Sequence, residues 1–288
     1  EGFDIERDLN ILNPRTSLVD YLKPWQVLNL IPKNKEDLNE MVLKTFLAFR
    51  LENIKFAEVR NTIFYISELN RMSIEEAIVW VLEALSKASS LTGVKSGLII
   101  TIRRSQRSSY DALKIVRAIK NLDLPHGVIG LDLAGNEDLP VADDLPFIFK
   151  KAKHELNLGI TIHAGETGSL RNILQAVNLF EADRIGHGPA ALNCMDTLQL
   201  LSKRNVAVEV CPISNKRTGS IKNNDPYTFH QFLKYEVPFV ICSDNPAIHN
   251  ASISDDYSVF LKETNDFEFL KKQYVSQKKY SFLRGEQL

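Results

Sequence analysis

Short apolar runs alternate along this chain with stretches of helical spacing. Seven runs rich in Val, Ile, Leu and Phe each have about the length of a buried parallel strand. They are "IKFAEVR" from Ile54, "SGLIITIR" from Ser96, "GVIGLDLAG" from Gly127, "GITIHAG" from Gly159, "DRIGHG" from Asp183, "VAVEVCP" from Val206 and "PFVICSD" from Pro238. The pattern predicts seven strands.

The stretches between these runs predict amphipathic helices, because their apolar residues recur at three- and four-residue spacing. The three clearest stripes are Leu38, Val42, Phe46 and Phe49, then Ala112, Ile115, Val116 and Ile119, and finally Leu170, Ile173, Leu174 and Val177. Alternating strands and helices indicate an α/β protein, either an open doubly wound sheet or a (β/α)₈ TIM barrel.

The barrel is favoured, because the early strands lack a Gly-rich dinucleotide loop and polar residues end nearly every strand. We predict a single barrel domain over residues 1–288, with seven strands visible. A closed barrel needs an eighth, and the first is the one expected to be missing, since a helical pattern from Thr16 precedes any strand. The polar segment "NKRTGSIKNNDP" from Asn215 is expected to be a mobile loop at the rim.

Composition narrows the class of partner. The 288 residues are 44% hydrophobic and 25% charged, which is typical of a globular protein, and a net charge of −1 offers no field for a nucleic-acid backbone. Three scattered cysteines favour a reducing cytoplasm over a disulfide framework. The sequence has no apolar stretch of membrane-helix length, and Glu1 does not begin a signal-peptide pattern. We expect a small-molecule ligand, no nucleic acid and no membrane; the oligomeric state is not indicated.

Chemistry in a barrel is built where the strands end, so His163, Glu166, His187, Glu209 and Asp244 are expected to converge. A neutral imidazole is a common zinc ligand, and a carboxylate beside a metal site can act as general acid or base. The convergence indicates a metal site at which a carboxylate acts as general acid or base.

Each of these motifs also has a structural alternative. Glu166 could cap the helix that begins near Ser169, and Asp-Asn-Pro from Asp244 is a common turn sequence. Cys211 is expected to be a small buried apolar residue rather than a nucleophile. The other histidines are expected in loops or on helix surfaces, with some functional interest only in the last, which lies close to Asn245: His126, His154, His230 and His249.

Taken in order, "DLAGNE", "HAGE", "RIGHG", "EVCPISN" and "SDNP" resemble the adenosine deaminase family of the metal-dependent amidohydrolase superfamily. The resemblance runs from Glu58 to the residues after Asp244, about two thirds of the chain. It implies a (β/α)₈ barrel that binds one zinc ion and hydrolyses the 6-amino group of adenosine or a close relative. Such an enzyme is a hydrolase acting on the C–N bond of a cyclic amidine in purine metabolism.

The resemblance also implies roles for individual residues. His163 and Asp244 resemble zinc ligands, and His187 resembles the histidine that orients and deprotonates the zinc-bound water. Zinc hydroxide would then attack C6 while Glu166 protonates N1 of the purine. Gly135 of "DLAG" resembles the glycine whose backbone N–H meets the purine N3.

Two positions depart from the family pattern. Asn245 stands where many members carry a second Asp that faces the purine N7, and an amide can donate a hydrogen bond there at any pH. The family's first strand ends in HxH, which this sequence lacks. The opening "EG" is similar to the Asp-Gly that follows HxH, so Glu1 is expected at the ribose hydroxyl, and two further histidine ligands are expected upstream of it.

The expected reaction is zinc-dependent deamination of adenosine, and of 2'-deoxyadenosine, to inosine and ammonia in purine salvage. A deaminase of adenine or of an adenosine phosphate is one alternative. The other is a non-catalytic nucleoside-binding descendant that has lost the metal site. Because no cluster of basic residues marks a phosphate site, a nucleoside is favoured over a nucleotide.

Overall fold

Each of the seven apolar runs contains a strand in the computed structural model, which describes residues 9–284. The described chain forms two compact units that interleave along the sequence. We call the first the site unit, residues 9–25, 135–139 and 161–280, and the second the companion unit, residues 26–134, 140–160 and 281–284. The single-domain interpretation of residues 1–288 stays a prediction.

The companion unit holds the first three strands, β1 (Phe56–Asn61), β2 (Lys95–Arg103) and β3 (Val128–Ala134), paired in parallel in that order. Its helices are α2 (Lys35–Leu51), α3 (Ile63–Asn70), α4 (Ile74–Thr92), α5 (Ser108–Asn121) and α6 (Leu145–Leu156). The stripe predicted on α5 is buried in full, so it forms the face of the helix that packs on the core.

Local sequence signals set the ends of these helices. In α4 the Ser73 side chain accepts from the backbone of Glu76 while the Glu76 carboxylate accepts from the backbone of Ser73, which satisfies N–H groups that the first turn leaves free. The same helix ends at Gly93, whose φ of +76° is a backbone conformation that glycine adopts without strain.

A strand glycine in the companion unit leaves room for residues near the end of the described chain. A Cβ atom on Gly159 would overlap the ring of Phe282. Phe282 and Leu283 pack there with Ile99 and Ile129. Glycine at this position is therefore required by the close approach of an aromatic ring.

The site unit contains the part of β4 (Gly159–Ala164) that begins at Thr161. It also contains β5 (Arg184–His187), β6 (Ala207–Val210) and β7 (Phe239–Ile241), and these four strands are again parallel and paired in chain order. Its helices are α1 (Leu18–Leu22), α7 (Leu170–Asn178), α8 (Met195–Arg204), α9 (Pro212–Arg217), α10 (Phe229–Lys234), α11 (Pro246–His249), α12 (Ile253–Thr264) and α13 (Phe267–Tyr280). A 3-10 helix, Lys23–Leu30, begins in the site unit and continues in the companion unit from residue 26, and the site unit also contains the 3-10 helix Pro189–Asn193. Phe229, Phe239, Phe260 and Phe269 form an aromatic cluster in its core.

The expected mobile loop from Asn215 is wrong at its start, because residues 215–217 belong to helix α9 and Asn215 is fully buried. The segment beyond the helix is tied to it by Lys216, whose ammonium donates to the backbone oxygens of Lys222, Asn223 and Asp225 at 2.6, 3.1 and 2.7 Å. In the part of the chain that the structure describes, no helix has both the length and the apolar character needed to cross a bilayer.

Candidate active site

Four predicted site residues lie at or just beyond the carboxyl ends of strands in the site unit. His163 is the penultimate residue of β4, and Glu166 lies two residues after the end of that strand. His187 ends β5, and Asp244 lies three residues after the end of β7. Because these strands are parallel, their carboxyl ends meet at one edge of the sheet. The geometry gathers residues that are up to 81 positions apart in the sequence (244 − 163).

The two histidines of neighbouring strands face each other. The register of β4 and β5 places His163 beside Gly186 and Ala164 beside His187, and the imidazole centroids are 5.1 Å apart. A Cβ on Gly186 would lie 3.2 Å from both Cα and Cγ of His163, which is tighter than ordinary van der Waals contact. Glycine before His187 therefore gives the His163 ring its place.

His187 is held by a hydrogen bond that fixes the direction of its ring. It is 3% exposed, and Nδ1 lies 2.8 Å from Oδ1 of the buried Asn215 on α9. Since the amide oxygen can only accept, Nδ1 carries the proton and Nε2 faces the site, 3.8 Å from Oε1 of Glu166. The backbone of His187 has a φ of +64°, a strained conformation for this residue type, and such strain is concentrated at functional sites.

Glu166 is a buried carboxyl group, 8% exposed, in the turn between β4 and α7. Burial raises its pKa; His187 and His163 oppose that rise, whereas the negative charges of Glu137 and Asp244 reinforce it. The carboxyl is thus suited to hold a proton and to donate it. The capping alternative is not needed, since Ser169 itself caps α7 by accepting from the backbone N–H of Asn172 at 3.4 Å.

Glu137 supports this turn and was missed as a site residue, although it stands in the "DLAGNE" motif. Its carboxylate accepts from the backbone N–H groups of Gly165 and Glu166 at 2.8 and 2.9 Å, and from the side-chain amide of Asn172 at 2.9 Å. Glu137 is 4% exposed, so water cannot replace these bonds easily. The available sequence signal was an acidic residue that closely follows a predicted strand and lies outside the apolar pattern.

Asp244 also has a left-handed backbone, with a φ of +57°. Its two carboxylate oxygens accept from the Ser214 hydroxyl at 2.7 Å and from the Asn245 amide at 2.6 Å. Burial alone would raise the pKa of Asp244, but His187, His249 and the bond from Ser214 outweigh it and hold the pKa below its usual value. Asp244 is therefore the anionic group of the site.

Tyr21 and His249 form a buried pair that the sequence did not reveal. The Tyr21 hydroxyl lies 2.9 Å from Nε2 of His249, and the two side chains are 3% and 1% exposed. Burial lowers the pKa of His249, and burial followed by the charges of Asp244 and Glu166 raises the pKa of Tyr21. The expectation of a surface histidine was wrong for His249, whereas His126, His154 and His230 are exposed as expected.

The remaining predicted residues are Glu209, Gly135, Cys211 and Glu1. Glu209 lies within β6, where it pairs with Arg184 at 2.7 Å and accepts from Thr161 at 3.1 Å, so its described contacts lie along the strands. Gly135 follows β3 with a φ of +103°, and Cys211 is buried as expected. Glu1 lies outside the described residues.

A zinc ion requires several donor side chains close together. Among residues 9–284, no group of three or more His, Cys, Asp or Glu side chains is arranged to hold a metal ion. His163 and Asp244 are suitable zinc donors in kind, but a catalytic zinc normally takes three protein ligands. The described residues fit part of a zinc site and do not complete one.

A buried acid, an oriented imidazole and an anionic carboxylate at the strand ends of an α/β fold form an arrangement suited to hydrolysis. Residues 4–285 match the family described as adenosine deaminase, and the chain belongs to this family. It is a hydrolase that acts on C–N bonds in cyclic amidines.

Known relatives agree with this assignment. An adenosine deaminase of Clostridium botulinum (strain 657 / Type Ba4) is 32% identical over 256 residues, which cover 88% of this chain and 76% of that protein. The adenine deaminase structure from Arthrobacter aurescens superimposes with a TM-score of 0.84 at 20% identity, covering 96% of this chain and 82% of its own.

Two further solved structures share the fold. Arabidopsis ADAL complexed with IMP has a TM-score of 0.82 at 22% identity, with 94% and 80% of the two chains covered. A Burkhoderia ambifaria amidohydrolase with bound Zn has a TM-score of 0.81 at 17% identity, with coverage of 92% and 74%. These likenesses, together with the seven strands, confirm the predicted α/β barrel class.

Proposed function

We propose that this chain hydrolyses the 6-amino group of adenosine, and of 2'-deoxyadenosine, to give inosine or 2'-deoxyinosine and ammonia. The observation that carries the proposal is the pairing of a buried carboxyl, Glu166, with an oriented imidazole, His187, at 3.8 Å. Curated relatives that are 32% identical and named adenosine deaminase support this substrate.

The roles follow from the contacts. Water attack at C6 moves electron density onto N1, and Glu166, kept protonated by burial, donates a proton there. Nε2 of His187 accepts the proton of the attacking water, because the bond from Nδ1 to Asn215 keeps Nε2 free of hydrogen in the neutral ring. His187 passes that proton to the amino group as the C6–N bond breaks, so the group leaves as ammonia. The C6 hydroxyl returns a proton to Glu166, and the purine keeps the new oxygen at C6.

A zinc ion is proposed as the cofactor, with His163 and Asp244 among its ligands. A neighbour of the same fold that contains Zn supports the choice of metal. When bound, the ion supplies the Lewis acidity that makes water a competent nucleophile near neutral pH. The hydrogen bond from Ser214 leaves Asp244 oriented for such a role.

Three residues are proposed to bind the substrate. The backbone N–H of Gly135 would meet N3, and Glu1 would meet a ribose hydroxyl. The Asn245 amide donates one hydrogen to Asp244 at 2.6 Å, and it would donate the other to N7. We place the activity in the cytoplasm and in purine salvage, in keeping with cysteines that form no disulfide within residues 9–284.

A nucleotide is the competing substrate. Arabidopsis ADAL, which has the same fold, is complexed with IMP in one structure and with GMP in another, and an Arabidopsis N6-mAMP deaminase also shares the fold. The two candidates differ by a phosphate, so a comparison of nucleoside and nucleotide turnover distinguishes them.

The test is release of ammonia by the zinc-supplied protein from adenosine, 2'-deoxyadenosine, adenine and AMP, and release of methylamine from N6-methyl-AMP. We expect kcat/KM for adenosine to exceed that for adenine and AMP by more than about tenfold, an energy of about 1.4 kcal/mol. Glu166→Gln serves as the inactive control. A higher kcat/KM for AMP or adenine than for adenosine would make that compound the substrate in place of adenosine. Absence of turnover with all five compounds would refute the proposed function.

A further inference from the structure

We propose that Glu137 is a positioning residue that holds the proton donor Glu166 in place through the backbone of its turn. The inference rests on the proposed function, because it assigns Glu137 a part in the same reaction. Glu137 does not touch the reacting atoms in this proposal. It acts on where the Glu166 carboxyl stands.

The geometry is that of an anion-binding turn filled by a side chain. Gly165 has a φ of +96°, and its N–H and that of Glu166 point to the same carboxylate, at 2.8 and 2.9 Å. Successive backbone N–H groups in such a turn form a concave site for a negative group. The carboxylate of Glu137 occupies that concavity, and its two hydrogen bonds hold the backbone at Gly165 and Glu166.

A third bond fixes the carboxylate itself. The side-chain amide of Asn172, in the first turn of α7, donates to Oε2 of Glu137 at 2.9 Å and to its backbone oxygen at 3.1 Å. Asn172 therefore links the turn, Glu137 and the helix that follows. The Glu166 turn is held at both of its ends.

A carboxylate is chemically suited to this place and an amide is not. Two neighbouring N–H groups and the Asn172 amide require two acceptor oxygens on one side chain, whereas Gln offers one oxygen and sets an NH₂ against a donor. Every described partner of the Glu137 carboxylate is a neutral N–H donor. Three N–H donors thus satisfy the buried carboxylate and tie the turn to one side chain.

The charge of Glu137 adds a second effect in the same direction. It is one of the groups that raise the pKa of Glu166, after burial, which is the largest cause. The other ionisable groups that act on Glu166 are His187, His163 and Asp244. The placement of Glu137 thus favours a proton on Glu166 as well as its position.

The first experiment compares Glu137→Gln with Asp138→Asn, the same change in charge at the exposed neighbour. We expect Glu137→Gln to lower kcat about 10²-fold with KM changed less than about threefold, as misplacement of a catalytic group by about 1 Å does. Asp138→Asn should stay within about twofold of the wild type, as a surface change does.

The same change is then made in the Glu166→Gln background. If Glu137 acts through Glu166, the second substitution should add less than about threefold to the loss, because coupled residues are not additive. A full further 10²-fold loss would overturn the proposal. So would an active Glu137→Gln enzyme in the wild-type background. If Glu137→Gln does not fold, Asn172→Ala is used in both backgrounds, and additivity there overturns the proposal equally.

Amide hydrogen exchange separates this inference from the proposed function. At least one of the N–H groups of Gly165 and Glu166 should exchange at least about tenfold faster in Glu137→Gln than in Asp138→Asn, since Gln keeps one acceptor oxygen for the two donors. Unchanged exchange would overturn the positioning role. A wild-type protein that deaminates nothing would overturn the proposed function, while the exchange result would still decide whether Glu137 holds the turn.

Discussion

Asp256 offers a stability prediction whose size follows from the structure. This residue of α12 is 1% exposed, and its Oδ1 accepts from the backbone N–H of Ile213 in α9 at 2.9 Å. Helix α9 carries Ser214 and Asn215, which hold Asp244 and His187. Asp256 therefore anchors the helix that orients two site residues.

The predicted change is Asp256→Asn. Burial, opposed by the Ile213 hydrogen bond and reinforced by Asp244, raises the pKa of Asp256 from 3.8 to about 7. The folded protein therefore keeps a proton that the unfolded chain releases, so wild-type stability falls as pH rises from about 4 to about 7. Asn cannot ionise and still accepts from Ile213, so it escapes this loss.

The difference between variant and wild type should grow with pH. The pKa values of 3.8 and about 7 differ by an amount equivalent to about 4 kcal/mol, gained at about 1.4 kcal/mol per pH unit. Urea unfolding at pH 5, 6, 7 and 8 measures it. We expect the unfolding free energy of Asp256→Asn, relative to wild type, to rise by about 3 kcal/mol from pH 5 to pH 7 and then to level off.

The neighbouring Asp255 provides a control of opposite sign. Hydrogen bonds from the backbone and side chain of Ser252 hold the pKa of this exposed carboxyl below its usual value. Its contribution is present above the unfolded pKa and is lost as pH falls, so Asp255→Asn should destabilise at neutral pH and less in acid. A difference for Asp256→Asn that does not vary with pH would refute the reasoning.

Three predictions concern the site directly. Glu166→Gln should bind zinc and a purine nucleoside normally but lose about 10²-fold or more in kcat, as for removal of a general acid; near-normal turnover contradicts its role. Asn215→Ala should lower kcat/KM by about 10 to 100-fold, since Nδ1–H of His187 loses its acceptor in a buried place, whereas the exposed Asn223→Ala should not. Asp244→Ala should reduce bound zinc per chain in elemental analysis, and unchanged metal content would reject it as a ligand.

Much of the fold was predictable from local pattern. Parallel strands buried on both faces need continuous apolar runs, so β1 to β7 could be placed within a few residues of their ends. The helix stripes were equally visible, because one face of each helix must be apolar. Helix α9 was missed because it is six residues long, starts at Pro212 and has mostly polar residues after Ile213.

The candidate site was predictable where motif order carried it. His163, Glu166, His187 and Asp244 stand at or just after strand ends in the sequence, and parallel pairing places those ends at one edge. Their order and residue types resembled a family to which the chain belongs. Such motifs name the candidate residues of the site but not the contacts that hold them.

The sequence by itself determined the α/β class, the strand positions and which polar residues stand at the strand ends, because these depend on local apolar pattern and on residue type. Only the tertiary structure decided what holds those groups in place. Tyr21 meets His249 across 228 positions, His187 meets Asn215 across 28, and Glu137 reaches Gly165 across 28. No local period links such residues, and a buried polar group is satisfied by whichever partner packing brings within hydrogen-bond distance.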